Sequence, residues 1–440
     1  MKKYELEIND KTIHDTLLDN KVDNKEYLES IIRLIKNIND NEVICIDGEW
    51  GVGKTFLIKQ FEYLIKNYKE YNKKGEFKEF DYLKEDLINI IDNNLVFYYN
   101  AWENDDHDNP FDSIIYNILN EYPKFKDKIT NKFESQELLK EILQLLTKIV
   151  SNTLFNIDFS SENIDKIKTF EDLAKEINTK EEKKMLFKKL IDKILNDKRM
   201  ILIVDELDRC NPIYATKMLE TIKHFYNLKN VTVIIVANNN ELKNIISQQF
   251  GINFNSYSYL NKFYDYVITI DTLRTLNYCR ENLNFESEMS CISNAVFYSM
   301  INKYGLTLRE CNKYKTLYDM SKDYIDAEKN NCLYLEEEER KIIYSIILPI
   351  IFVFKIKDLT AYNDCLNKGT TSLKEALIDV KKYLDMNNKK TWLYDFVNIP
   401  KDINCISDEE LFEKIIQTYL KVFETSNSDK IFLKIIKSLQ

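Results

Sequence analysis

Gly48-Glu49-Trp50-Gly51-Val52-Gly53-Lys54-Thr55 is the stretch on which the fold turns. It fits G-x-x-x-x-G-K-[ST], the pattern of a loop that wraps phosphate groups. The chain holds only seven glycines in 440 residues, and three of them stand in this octapeptide. A phosphate loop needs them because its backbone must turn tightly and aim several N–H groups at one anion with no Cβ in the way. Lys54 then supplies a point charge for the β- and γ-phosphates, and Thr55 a hydroxyl for Mg²⁺. The positive end of the following helix favours the anion further. Gly48, Glu49, Trp50, Gly51, Val52, Gly53, Lys54, Thr55 and Phe56 are therefore the expected nucleotide-binding residues.

The flanks agree with this reading. Val43-Ile44-Cys45-Ile46-Asp47 is a short apolar run suited to a buried strand, while Phe56, Leu57, Phe61, Leu64, Ile65 and Tyr68 recur at helical spacing. Further strand-like runs follow at Leu95 to Asn100, Met200 to Asp205, Val231 to Ala237 and Val267 to Asp271. Five such runs separated by helical sequence predict an α/β fold with a parallel five-stranded sheet. About a hundred residues, Glu103 to Arg199, separate the second run from the third and read as a helical insertion. The expected organisation is an N-terminal helical segment over 1–40, a P-loop core over 41–275 with the insertion at about 103–199, and a helical lid and C-terminal domain over 276–440. In the first segment, Asp23 or Asn24 is placed to cap a helix.

Met200-Ile201-Leu202-Ile203-Val204-Asp205-Glu206 is four aliphatic residues ending in two acids, the appearance of a Walker B strand. Such a strand carries Asp205 to the carboxyl edge of the sheet, where it can join the Mg²⁺ shell. Glu206 beside it can polarise an attacking water. Enzymes that activate water from this strand usually insert another strand between it and the phosphate-loop strand, and Val231 to Ala237 is the candidate. That run ends at Asn238, either a residue that orients water near the γ-phosphate or a cap for the next helix. Guanine selection by N-K-x-D fails on inspection: Asn261-Lys262-Phe263-Tyr264 lacks the acid, and Asn20-Lys21-Val22-Asp23 precedes the phosphate loop. ATP is the expected nucleotide.

Composition narrows the alternatives. Hydrophobic residues make up 44% and charged residues 30%, as in a globular protein, and the net charge of −10 gives no broad electrostatic hold on nucleic acid. Eight cysteines are scattered without a C-x-x-C pair, and three histidines offer no catalytic set, so neither zinc nor a disulfide framework is indicated. The first residues carry no secretory apolar region, making the cytoplasm the expected compartment. Ile342 to Phe354 is 13 residues without charge. A spanning helix needs about 20, so the run reads as a buried core helix. The apolar stretch 141–157 contains Lys148 and reads as amphipathic.

Taken together, GEWGVGKT, the strand ending Tyr99-Asn100-Ala101-Trp102, Asp205-Glu206-Leu207-Asp208-Arg209-Cys210-Asn211-Pro212 and Tyr259-Leu260-Asn261-Lys262-Phe263 resemble the KAP family of P-loop NTPases over roughly residues 41–315. The resemblance implies an ATPase with a helical insertion before the Walker B strand. Many members carry transmembrane helices in that insertion; none is evident here. Bacterial members are associated with phage exclusion and mobile elements, which makes antiviral defence the implied context. Gly305 to Glu310 resembles the part of the family where an arginine opens a lid helix, so Arg309 is a candidate second sensor, with an ordinary helix-start arginine as the alternative. Arg209 is open between a phosphate or inter-subunit contact and a structural salt bridge; Lys262 and Arg274 are weaker basic candidates. Trp50 is expected to shape the loop, and Trp102 to pack into the core near the site.

The expected activity is Mg²⁺-dependent ATP hydrolysis driving a conformational switch or assembly. Catalysis falls to Glu206, Lys54, Asn238 and Arg309, and the metal to Thr55 and Asp205. The expected partners are a protein or further copies of this chain, with neither nucleic acid nor an integral membrane segment indicated. The competing expectation is a weakly hydrolysing nucleotide-binding scaffold that recruits a partner through its C-terminal helices.

Overall fold

The computed structural model describes residues 6–38, 41–107, 109–126, 188, 191–192, 195, 197–226, 230–271, 273–283, 290–328, 337–387 and 408–424. Most of the expected insertion, the stretch 141–157 included, lies outside the described residues. Five strands, β1 (Val43–Asp47), β2 (Asn94–Asn100), β3 (Arg199–Asp205), β4 (Val231–Ala237) and β5 (Tyr266–Thr269), form a sheet ordered β2-β3-β4-β1-β5. All its pairings are parallel. The five runs read from the sequence are these strands to within two residues, and β4 lies between β1 and β3 as the paired acids required. Every residue of β4 is buried, the pattern of a central strand covered on both faces. β5 is the exposed edge, which suits its short length.

Helices cover both faces. On one face lie α1 (Asp10–Asp19), α2 (Lys25–Asn37), α3 (Lys54–Lys73) and α4 (Lys84–Asn93), which pack on Ile44, Ile46, Ile201, Ile203, Ile234 and Val236. The other face buries Leu202, Val204, Val233 and Ile235 under α5 (Pro110–Lys126), α6 (Pro212–Tyr226), α7 (Asn239–Phe250) and α8 (Ser256–Leu260). Beyond the sheet come α9 (Leu273–Asn282), α10 (Ser290–Tyr304), α11 (Leu308–Glu328), α12 (Glu337–Ile342), α13 (Leu348–Lys357), α14 (Leu359–Leu366), α15 (Thr371–Met386) and α16 (Asp408–Glu424). Their apolar residues, from Cys279 to Tyr419, belong to the same continuous core as Ile13, Leu28, Phe61 and Ile44. Each fully buried Ile or Leu in that core contributes about 1.5–3 kcal/mol relative to exposure.

The uncharged run at 342–354 is a core helix. Ile346, Ile347, Ile350, Phe352, Val353 and Phe354 are completely buried. The backbone widens into one π-helical stretch at Ile343–Ile347 before α13. Pro349 accounts for it, because proline has no N–H for the carbonyl one turn earlier. Among the described residues no helix is long and apolar enough to cross a membrane.

At the N-terminus, α1 lies within the segment read as helical, and it buries only Ile13, Thr16 and Leu17. Asn24 precedes α2 as expected but makes no capping bond. Its amide instead donates to Gln60 Oε1 at 2.6 Å, and Gln60 Nε2 donates to Thr16 Oγ1 at 3.0 Å. These buried bonds fix α1 and the start of α2 against α3, directly behind the phosphate loop.

Candidate functional site

β1 and β3 end at the same edge of the sheet, one strand apart, so Gly48 and Asp205 leave the core side by side. Gly51 and Gly53 take φ of 87° and 91°, the left-handed region that glycine enters freely. Gly51 is needed for a second reason. A Cβ there would come within 2.9 Å of Arg309 Cβ and 3.0 Å of Thr307 Oγ1, and the Arg309 N–H donates to the Gly51 carbonyl at 3.3 Å. Helix α11 thus starts in direct contact with the loop.

Lys54 is buried, with Nζ donating to the carbonyls of Gly48 (2.7 Å) and Glu49 (3.2 Å). Burial pulls its pKa below the usual lysine range, opposed by the carboxylates of Asp208, Asp205 and Asp47. Asp205 is 1% exposed. Its Oδ1 accepts from the Glu206 N–H at 2.8 Å and its Oδ2 from the Tyr98 hydroxyl at 2.9 Å. Burial raises its pKa to about 6, against the hydrogen bonds from Tyr98 and Thr55 that favour the ionised form. A carboxylate so poor in solvent, beside a threonine hydroxyl, is suited to a divalent cation. The described residues hold no cluster of three or more His, Cys, Asp or Glu fit for a metal. A Mg²⁺ ion here would therefore complete its shell with phosphate oxygens and water, as that ion commonly does.

Glu206 sits at φ 60°. Its carboxylate is held by Arg209 (Nη1 to Oε1, 2.8 Å) and by the Asn100 amide (Nδ2 to Oε2, 3.4 Å) at the end of β2. Arg209 thus forms a salt bridge, and it also lines the cavity described below. The Arg209 guanidinium also lies 5.4 Å from the centre of the Trp102 ring. Trp102 itself is 49% exposed, which corrects the expectation that it packs in the core: the 3-10 turn Trp102–Asn104 carries it outward, where the cation covers one face. Trp50 is exposed too, and its indole N–H donates to Asp208 Oδ2, pinning the loop to the turn after β3.

These groups converge on one cavity of about 270 Å³, lined among others by Trp50, Gly51, Gly53, Lys54, Thr55, Phe56, Asp205, Glu206 and Arg309. Gly48, Glu49 and Val52 belong to the loop without lining it: Val52 is core, and Glu49 faces solvent. Asn238 is also absent from the lining. It caps α7, with Oδ1 accepting from the N–H groups of Asn240 and Glu241. Lys262, in the turn after α8, does not line the cavity, and the Arg274 side chain lies outside the described residues. Sequence reasoning missed Leu6, Ile8, Val22, Tyr278 and Asn312, which line the cavity from segments before and after the motifs. No local motif marks them.

The KAP family P-loop domain matches residues 24–304. The chain belongs to this family. The KAP domain covers α2, the whole sheet and the helices through α10, which includes the phosphate loop and both acids after β3. It stops before Arg309 and begins after Val22. No curated protein gives a significant match to this chain.

Proposed function

We infer that the protein binds ATP with Mg²⁺ and hydrolyses its γ-phosphate to drive a conformational switch. The observation that carries this reading is the convergence of Lys54, Thr55, Asp205, Glu206 and Arg309 on one cavity. Lys54 neutralises the β- and γ-phosphate oxygens, and the loop N–H groups orient them. Thr55 and Asp205 would hold Mg²⁺, which would supply positive charge beside the phosphate oxygens. Glu206 takes a proton from the water whose oxygen bonds to the γ-phosphorus, and ADP leaves with the bridging oxygen. Because Arg309 N–H rests on the Gly51 carbonyl, a loop that adjusts to phosphate moves the start of α11, so the lid region is the natural output.

The second reading, a scaffold that binds ATP and hardly turns it over, draws support from the Glu206 carboxylate being occupied by Arg209 and Asn100. Single-turnover hydrolysis with enzyme in excess separates the two. Hydrolysis in the wild type, reduced by roughly 10²–10⁴ in Glu206→Gln while ATP stays bound, supports the switch. Equal rates in the two proteins would remove Glu206 from catalysis. Action in the cytoplasm suits the buried, unpaired thiols of Cys45, Cys210, Cys279, Cys311 and Cys365. A protein partner or self-assembly as the recipient of the switch is tested by particle mass with and without ATP. A role in antiviral defence is tested by whether Lys54→Ala abolishes any protection of expressing bacteria from phage.

A further inference from the structure

Beside the acids of β3 stands a side chain that no motif marks. Tyr98 lies on β2, whose parallel register with β3 sets Tyr98 next to Ile203 and Asn100 next to Asp205. Tyr98 and Ile203 both pack into the core on the α3 face of the sheet. From there the Tyr98 hydroxyl donates along the strand to Asp205 Oδ2 at 2.9 Å. We propose that Tyr98 is a positioning residue for Mg²⁺, holding the Asp205 carboxylate in the rotation that serves the cation. This rests on the reading of Lys54, Thr55 and Asp205 as a site for ATP and Mg²⁺.

Three observations lead there. First, the carboxylate is held at both oxygens, Oδ1 by the Glu206 N–H at 2.8 Å and Oδ2 by Tyr98. The terminal torsion of an aspartate is broad and twofold, so one bond leaves the group free to turn and the second fixes its plane. Second, the tyrosine is itself fixed. Lys59 Nζ lies 3.0 Å from the centre of the Tyr98 ring, and Lys59 pairs with Glu62 at 2.9 Å, which also takes Lys66 at 2.6 Å. A cation over the ring face draws on its electron density and strengthens the O–H as a donor. Lys59 stands one turn beyond Thr55 on α3, so the helix that offers the cation a hydroxyl also steadies the ring that aims the carboxylate. Third, Thr55 and Asp205 line the cavity, whereas Tyr98 does not. Its effect on a bound cation therefore passes through Asp205, the part played by outer partners that orient metal ligands.

The neighbouring Tyr99 supplies a control from the same strand. Its hydroxyl bonds Ser113 and Tyr214 on the opposite face of the sheet and has no contact with Asp205.

Calorimetric titration of the full chain with ATP, at stepped free Mg²⁺ and again in EDTA, tests the proposal. Tyr98→Phe keeps the ring and removes only the donor. Its Mg²⁺ half-saturation should lie about tenfold or more above the wild type, while ATP affinity in EDTA stays within about twofold. Lys59→Met keeps the hydroxyl but loosens the ring, and should raise the half-saturation severalfold. Tyr99→Phe should leave it where it is. An unshifted half-saturation in Tyr98→Phe, or in Lys59→Met if Tyr98→Phe does not fold, would overturn the proposal. So would an equal loss of ATP affinity in EDTA, or an equal shift in Tyr99→Phe, since either would reduce Tyr98 to a structural residue. Wild-type ATP binding indifferent to Mg²⁺ would remove the cation site and the role of Tyr98 with it, leaving the nucleotide reading in place. A wild type that takes up no ATP at all would overturn the nucleotide reading itself.

Discussion

The exits of β1 and β3 turn through left-handed backbone at the same edge of the sheet, one with glycine and the other with glutamate. Gly51 and Gly53 sit at φ 87° and 91°, Glu206 at φ 60°. After β1 the loop needs an absence: no Cβ, so that its N–H groups are free to face a phosphate and α11 can touch the loop. After β3 it needs a side chain, and the left-handed conformation of an L-residue costs about 1–2 kcal/mol. The Asp205 carboxylate accepting from Glu206 N–H and the Arg209 ion pair offset that strain. At the exit of β3 strain is thus accepted where a carboxylate has to be aimed.

The comparison can be broken at four points. The largest effect belongs to the β1 side: Lys54→Ala should weaken ATP roughly 100-fold or more by calorimetry, since it removes charge-assisted bonds worth about 1.5–3 kcal/mol each. Unchanged affinity would show that the loop is not the phosphate site. Next, Gly51→Ala combines a disfavoured φ with a contact at 2.9 Å to Arg309 Cβ. Chemical denaturation should show a loss of about 2–4 kcal/mol. Loss below about 1 kcal/mol would mean that the start of α11 moves aside freely.

On the β3 side, the Asp205 pKa of about 6 against an ordinary 3.8 makes the nucleotide-free protein depend on pH. The raised group contributes stability that is complete below about pH 4 and lost as pH rises through 6, amounting to roughly 3 kcal/mol. In Asp205→Asn that slope should vanish from the pH profile of the unfolding free energy, and above pH 6 the variant should be the more stable protein while hydrolysing nothing. The smallest effect separates strain from function at Glu206. Glu206→Gly should be more stable than Glu206→Ala by about 1 kcal/mol, the reverse of the usual order, because only glycine escapes the left-handed penalty. Ala equal to Gly would remove strain from the account.

What the sequence made legible follows from chain locality. The octapeptide and its flanks specify β1, the loop and α3 within about 25 residues, and Val204-Asp205-Glu206 implied the strand placed between β1 and β3. Trp102 misled because aromatic size suggested burial, whereas the turn after β2 sends it outward beside Arg209. Asn238 carried two readings that composition could not separate; its bonds to Asn240 and Glu241 are those of a helix cap. The cavity-lining residues outside the motifs were illegible for a different reason. Val22 and Tyr278 line one cavity although more than 250 positions apart in the chain, and neither sits in a spacing that signals a ligand.

The exposed positions of Trp50 and Trp102 give the site a natural optical probe. Two of the three tryptophans in the chain stand beside the phosphate loop and the Glu206–Arg209 pair, one bonded to Asp208 and one under a guanidinium. Ligand arrival, loop rearrangement and release of Arg209 would each alter indole emission, and replacing Trp50 or Trp102 singly with phenylalanine would assign the signal. Nucleotide exchange could then be timed in the unlabelled protein.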